Sequence, residues 1–475
     1  MLTDLYQLTM MQGYWRSGMR QNEGIFDLFF RKRTDVPVIY AIMAGLEQVV
    51  EYIDNIRFSR EDIAYLGSLG IFDEDFLEAL ETLRFTGEMY AVPEGTPVFP
   101  GEPLVRVRAP MMEAQLIETT LLNIINHQTL IATKASRVVY AAGGGAILEF
   151  GLRRAQGPDA GLYGARAAMI GGCAATSNVM AGELFDVPVK GTHAHSWVMS
   201  FPDELSAFRA YAQVFPDACM LLVDTYNTLK SGVPNAITVF RELREKGYEP
   251  VGIRLDSGDL AYLSKQARLM MDDAGFPNAQ ICASGDLDET VIWDLRAQGA
   301  AIDSWGVGTK LITSENIPAL GGVYKLSAEV VDGKVVPKIK VSENPEKVTN
   351  PGYKKVFRIY DKATGAALAD LITLEDEVID ETKPLHLFDP VNTWKEMYVE
   401  DFTAKELLEP VYIGGRRIHR SKSVTEIQAY HKQQMKSLWD EYLRINNPHV
   451  YKVDLSHKLY DLKQALLKSE GKRGL

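Results

Sequence analysis

Two histidines one residue apart, His193 and His195 in "GTHAHSWVMSF" (191–201), carry the sharpest chemical signal in the chain. An imidazole near neutral pH can ligate a metal, carry a phosphoryl group or move a proton. Alternate side chains of a strand point to opposite faces, so rings at this spacing share one ion only where the backbone bends. Such an ion would need further ligands. His127, His386, His419, His431, His449 and His457 lie away from the polar set described next, which leaves Asp224 or Asp256 as donors. A second reading makes one histidine a nucleophile or acid–base group, its tautomer fixed by a carboxylate, and the other structural. A third keeps both as satisfied structural residues.

Six apolar runs end in residues able to hold an anion or move a proton. They are "AILEFG" (146–151), "VPVKGT" (187–192), "MLLVDT" (220–225), "VGIRLDSGD" (251–259), "AQICASGD" (279–286) and "IDSWGVGT" (302–309). Their ends supply Arg153 and Arg154, the two histidines, Asp224, Arg254 with Asp256, Ser284 with Asp286, and Thr309 with Lys310. Turn chemistry explains one such residue after a strand; six consecutive ends point to a shared site. The loops "ASGD" and "GVGTK" place Ser284, Gly285, Gly306, Gly308 and Thr309 where glycine lets backbone approach a ligand. Amides in such loops, with a helix N-terminus, form an anion nest, so this pair of loops favours phosphate. "LLVDTYNTLKSG" (221–232) lacks the adjacent acids and Thr-Gly pair of a phosphoribosyl-donor loop and carries no assignment on that ground.

The elements that must position these residues follow from the spacing. Run ends recur every 23 to 41 residues or so, which fits βα units. Between them lie helical patterns such as 259–275, where Leu260, Leu263, Ala267 and Met270 recur at helical spacing and Gly275 closes the end. Buried runs alternating with helices indicate a parallel sheet, and six of them an irregular α/β barrel. An open doubly wound sheet is the alternative, but no G-x-G-x-x-G follows the first strand. In a barrel the site lies at the carboxyl ends of the strands, where these residues are.

Residues 85–108 and 323–371 alternate apolar and turn residues and read as antiparallel strands. The expected organisation is a discontinuous β-rich α+β domain (1–125 with 325–410), a barrel (126–324) and a C-terminal helical extension (411–475). In the last, 424–445 forms one amphipathic helix with Ile427, Tyr430, Leu438, Tyr442 and Leu443 on its apolar face.

A net charge of −12 argues against a nucleic-acid binder, which needs a basic face. It leaves room for small anionic substrates held by local arginines. Three widely spaced cysteines, Cys173, Cys219 and Cys282, make no metal or disulfide framework and suit a reducing compartment. No run approaches the ~20 apolar residues of a membrane span, and the N-terminus has no leader pattern. The expectation is a cytoplasmic protein.

With these residues in hand, the chain resembles the nicotinate phosphoribosyltransferases. The likeness runs from "LTDLYQLTM" and "GYWRSG" through "FGLRRAQGPDAG", "GTHAHSWVMSF", "LVDTYNTLKSG" and "IRLDSGDL". It ends in "GVGTKLITS", "LGGVYKL" and "NPEKVTNPGYKKVFR". The resemblance implies the type II phosphoribosyltransferase fold and a homodimer. The implied reaction, in NAD salvage, joins nicotinate to phosphoribosyl pyrophosphate with Mg²⁺, giving nicotinate mononucleotide and pyrophosphate. ATP hydrolysis is coupled through a phosphohistidine, which the family motif places at His195, with His193 at a variable position.

Carried over residue by residue, Tyr6 stacks on the pyridine ring from the partner subunit and Phe150 on its other face. Thr192 and Arg254 contact nicotinate with Arg153 close by, and an arginine fork suits its carboxylate. Asp256 lies near the ribose. Thr309, with the loop residues Ser284, Gly285, Gly306 and Gly308, holds the donor's 5-phosphate. Core packing is the bland alternative for Tyr6 and Phe150. Competing functions are a transferase acting on nicotinamide or quinolinate, a metallohydrolase using the His193–His195 pair, and a non-catalytic protein on the same scaffold.

Overall fold

Residues 1–32, 40–344 and 347–473 are described by the computed structural model of the chain. Pro345 and Glu346 of the 344–358 motif lie outside them. The chain divides into two units. One is Met1–Leu130, Ala319–Lys422 and Ala429–Leu475; the other is Ile131–Pro318 and Ser423–Gln428.

The second unit is built on six parallel strands: Ala146–Glu149, Ala175–Thr176, Met220–Leu222, Gly252–Leu255, Gln280–Ser284 and Ser304–Val307. Ile253, Leu255, Ile281, Cys282, Ala283, Trp305 and Val307 are buried, the near-continuous apolar pattern of strands covered on both faces. The last strand pairs with the first, and neighbours in sequence are neighbours in space. That is barrel order; a doubly wound sheet would reverse from its middle. One seam remains, between Ala175–Thr176 and Met220–Leu222.

The run 187–192, expected as a strand, makes only a parallel bridge from Val189 to Thr176. Pro188 has no N–H to continue the ladder, and the short strand Ala175–Thr176 stands in the sheet instead. His193 then reaches over the seam, its Nε2 accepting the Leu222 N–H at 3.3 Å. The helix expected over 259–275 is Leu260–Asp273, N-capped by Asp259. Its buried stripe is Leu260, Ala261, Ser264, Ala267 and Met271; Leu263 and Met270 are half-buried at its edge.

The first unit joins both flanks of the chain in one seven-stranded sheet. Glu23–Phe30 lies antiparallel between Val105–Pro110 and Gly322–Val331. A four-stranded sheet holds Lys354–Asp361 and Ala367–Leu374, and Val453–Leu455 completes it. The C-terminal region is therefore not helical throughout. The helix expected over 424–445 stops at Met435 and a short one, Asp440–Leu443, follows. The Ser437 carbonyl between them accepts the Ala367 N–H at 2.7 Å, a tertiary bond that outbids the helical pattern. Among the described residues no helix is long and apolar enough to cross a membrane, and the three cysteines are buried thiols.

Two buried histidines set a pH dependence. Burial pulls His193 and His431 down to about 4, and His431 Nδ1 bonds the Gly95 carbonyl at 3.0 Å. Unfolded imidazole titrates near ~6.5, so on acidification the unfolded chain takes up these protons first. Stability from each is complete above about pH 6.5 and is lost as pH falls towards 4, on the order of 2–3 kcal/mol apiece. His431→Asn should visibly flatten the fall in melting temperature between about pH 7 and 4.5. An unchanged slope would contradict the assignment.

Candidate active site

A cavity of about 610 Å³ lies at the carboxyl ends of the second unit's strands. Phe150, Arg153, Thr192, Arg254 and Asp256 line it, and so do Ser284, Gly285, Gly306, Gly308 and Thr309. The ends of five of the six runs thus converge on one space, the end of 220–225 excepted.

Phe150 leaves the first strand with its N–H on the Val307 carbonyl at 2.8 Å. Its ring lies flush on the neighbouring strand, where a Cβ on Gly306 would sit 2.6 Å from it. Gly306 therefore seats an aromatic wall as well as lining the cavity. Gly285 is required on two counts: its φ is +97°, and a Cβ there would lie 2.3 Å from the Asp256 carbonyl oxygen. Asp286 follows, also left-handed, and the pair turns the strand Gln280–Ser284 towards the helix Glu289–Ala297. Gly308 and Thr309 line the cavity where the short helix Thr309–Ile312 begins, and the first amides of a helix lack intrahelical partners.

Arg254 is largely buried. Its Nη1 donates to Thr192 Oγ1 at 2.6 Å, and its Nη2 stands 4.0 Å from Asp256 Oδ1. Its Nε is buried and makes no hydrogen bond within the protein. A guanidinium fixed in this way on the cavity wall suits a planar anion such as a carboxylate. Asp256 in turn accepts the Ser284 hydroxyl.

His195 begins the helix His195–Met199, and its ring is not part of the cavity lining. Nε2 lies 3.1 Å from Asp224 Oδ1, and that carboxylate is 2% exposed. Asp224 Oδ2 accepts the Asp256 N–H at 2.9 Å and the Ser257 hydroxyl at 2.7 Å. A carboxylate oxygen accepts, so in the neutral ring Nε2 carries the proton and Nδ1 keeps its lone pair. The backbone before Asp224 is packed hard: a Cβ on Gly232 would lie 1.8 Å from the Val223 carbonyl oxygen. Gly232 closes a π-helical turn, Thr228–Gly232, a rare form frequent at functional sites. The stretch 221–232 thus serves to place Asp224. His193 and His195 turn to different partners, so they do not share an ion. Among the described residues no three His, Cys, Asp or Glu side chains are placed to hold a metal.

One expected neighbour is elsewhere: Lys310 pairs with Asp288 at 3.0 Å rather than lining the cavity. Tyr6, expected from a partner subunit, sits on the helix Leu5–Arg16 of the first unit with its side chain exposed. Sequence reasoning missed Ser177, which lines the cavity; the two-residue strand before it is too short to show a period. It also read Asp224 only as a strand end and candidate metal donor, and missed it as the partner of His195.

Comparison with known proteins matches three family descriptions in order. They are the nicotinate phosphoribosyltransferase N-terminal domain over residues 1–126, the family itself over 146–359, and the C-terminal domain over 353–463. The Bacillus subtilis nicotinate phosphoribosyltransferase is 51% identical over 461 residues, 97% of this chain and 94% of that one. The chain belongs to the nicotinate phosphoribosyltransferase family. A family member from Caenorhabditis elegans is 37% identical over 527 residues, covering 98% of this chain and 93% of its own. The crystal structure of human nicotinic acid phosphoribosyltransferase superposes with a TM-score of 0.86 at 33% identity, over 98% of this chain and 100% of that one. A nicotinate-nucleotide pyrophosphorylase from Pyrococcus furiosus, at 22% identity and a TM-score of 0.70 over 92% and 95% of the chains, shares the fold.

Proposed function

We propose that the protein transfers the 5-phosphoribosyl group of phosphoribosyl pyrophosphate to the ring nitrogen of nicotinate, releasing pyrophosphate, in the cytoplasm as a step of NAD salvage. The observation that carries this reading is one cavity, in a chain of this family, holding Phe150, an Arg254–Thr192 pair, and the glycine loops at 285 and 308. Nicotinate lies against Phe150 with its carboxylate on Arg254, and Arg153 adds positive charge. The 5-phosphate takes the amides and hydroxyl around Gly308 and Thr309, with Ser284 and Gly285 at the adjacent loop. Loss of pyrophosphate builds positive charge at C1 of the ribose, and the carboxylate of Asp256 opposes it. Binding both substrates in one pocket supplies orientation.

Mg²⁺ belongs to this reading as an ion carried on the donor's pyrophosphate, where it neutralises the leaving group. Asp256 and Asp286, the two acids lining the cavity, are suited to share it. ATP enters through His195, whose Nδ1 lone pair accepts the γ-phosphoryl group while ADP leaves. Asp224 steadies the resulting positive ring. Tyr6, exposed on the first unit, supplies the second ring face from the partner in a homodimer. Buried free thiols fit a reducing compartment.

Steady-state assays with nicotinate and nicotinamide test the base assignment. Arg254→Gln should raise the nicotinate KM about 10- to 100-fold and narrow the preference over nicotinamide, because the charge-assisted fork is lost. Unchanged discrimination would rule out Arg254 as the carboxylate partner.

A further inference from the structure

Glu149 ends the first barrel strand and is fully buried. Its carboxylate accepts the Gly151 N–H and, at 2.6 Å, the Thr176 hydroxyl. Neither donor is a cation, and burial holds this carboxyl above its usual range. Burying an acid against neutral donors is costly, and a neutral side chain would shape the same turn more cheaply. What the two donors hold is therefore informative.

The Gly151 amide opens the turn Leu152–Arg154, closed by the Arg154 N–H on the Gly151 carbonyl, and this turn brings Arg153 to the cavity. Phe150, between Glu149 and Gly151, is seated on Gly306 with no slack. A small rotation of the turn drives its ring off that seat or into the strand. Thr176 is held on its other side by the run 187–192. Its N–H donates to the Pro188 carbonyl at 3.0 Å, and its carbonyl accepts the Lys190 N–H at 2.9 Å. Two residues on is Thr192, the partner of Arg254. One carboxylate joins the strand end that carries the aromatic wall to the run that carries the arginine's anchor.

We propose that Glu149 is a positioning residue for the base: its carboxylate ties the Phe150–Arg153 turn to Thr176 and so sets the distance between the ring-stacking face and the Arg254–Thr192 pair. This rests on the reading of the cavity as the nicotinate site, and Glu149 acts through its neighbours without touching substrate.

The test uses the full chain with Glu149→Ala, Glu149→Gln, Thr176→Val and Thr176→Ser, measuring kcat and the KM for nicotinate and for phosphoribosyl pyrophosphate separately. Glutamine keeps an acceptor for Gly151 and an amide that can bond the Thr176 oxygen. Glu149→Ala should raise the nicotinate KM at least ~10-fold and the donor KM less than ~2-fold, with Glu149→Gln within ~3-fold of wild type. Thr176→Val should follow Glu149→Ala and Thr176→Ser should not; this pair decides the matter if the alanine variant does not fold. A nicotinate KM unchanged in the alanine and valine variants, or both KM values moving together, overturns the inference while leaving the functional reading intact. Wild-type protein that makes nucleotide only from another base overturns the reading, and the inference falls with it.

Discussion

With His195 replaced by Ala, ATP should no longer accelerate nucleotide formation, while the slower ATP-independent reaction persists. The expectation follows from the geometry around the ring. Asp224 takes Nε2–H and is itself held by the Asp256 amide and the Ser257 hydroxyl, which leaves the Nδ1 lone pair for the proposed phosphoryl transfer. Asp224→Asn keeps the shape but has a single acceptor oxygen for three donors. The ATP-dependent increment should fall about 100-fold in that variant, a loss typical of a misdirected imidazole. Rates with and without ATP, together with transfer of labelled γ-phosphate to the protein, measure both effects. Full ATP acceleration in His195→Ala would remove the phosphohistidine from the account.

The largest expected loss of stability lies away from the cavity. Arg358 is fully buried in the first unit, with Asp370 accepting from Nε at 2.8 Å and from Nη2 at 2.6 Å. The Pro97 carbonyl takes a further bond from Nη2 at 2.8 Å, and the Tyr451 hydroxyl donates to Asp370 at 3.1 Å. Asp370→Ala removes both carboxylate bonds of a buried guanidinium, at a cost of about 3–5 kcal/mol. The melting transition of that unit should drop by roughly 10 °C. Arg358→Met combined with Asp370→Leu should cost less than the single change, because no lone charge is left buried. Arg209→Ala, which breaks an exposed pair with Glu242, should cost under ~1 kcal/mol. Equal losses at the two sites would show that burial does not decide the matter.

What could be read from residues alone follows the range of the interactions. The barrel strands are legible as apolar runs because burial on both faces leaves a continuous local signature, and their polar ends mark the cavity. The roles of individual residues at those ends are less legible, since each depends on a partner far along the chain. His193 meets the Leu222 amide and His195 meets Asp224, both 29 residues on. Nothing in "THAHS" itself separates the two. Gly306 reads only as a phosphate-loop glycine until strand register sets it against Leu148, two residues before the ring it seats. The break after Met435 is similarly invisible, because the competing bond comes from Ala367 in another sheet.

The central claim is the identity of the base, and the most direct test is product analysis. Purified protein would be given phosphoribosyl pyrophosphate, Mg²⁺ and ATP with nicotinate, nicotinamide or quinolinate in separate reactions. The account predicts nicotinate mononucleotide and pyrophosphate from nicotinate, formed faster with ATP, and far less product from the other bases. Nucleotide from nicotinamide or quinolinate with none from nicotinate would contradict the assignment of Arg254, Thr192 and Phe150 while leaving the fold untouched.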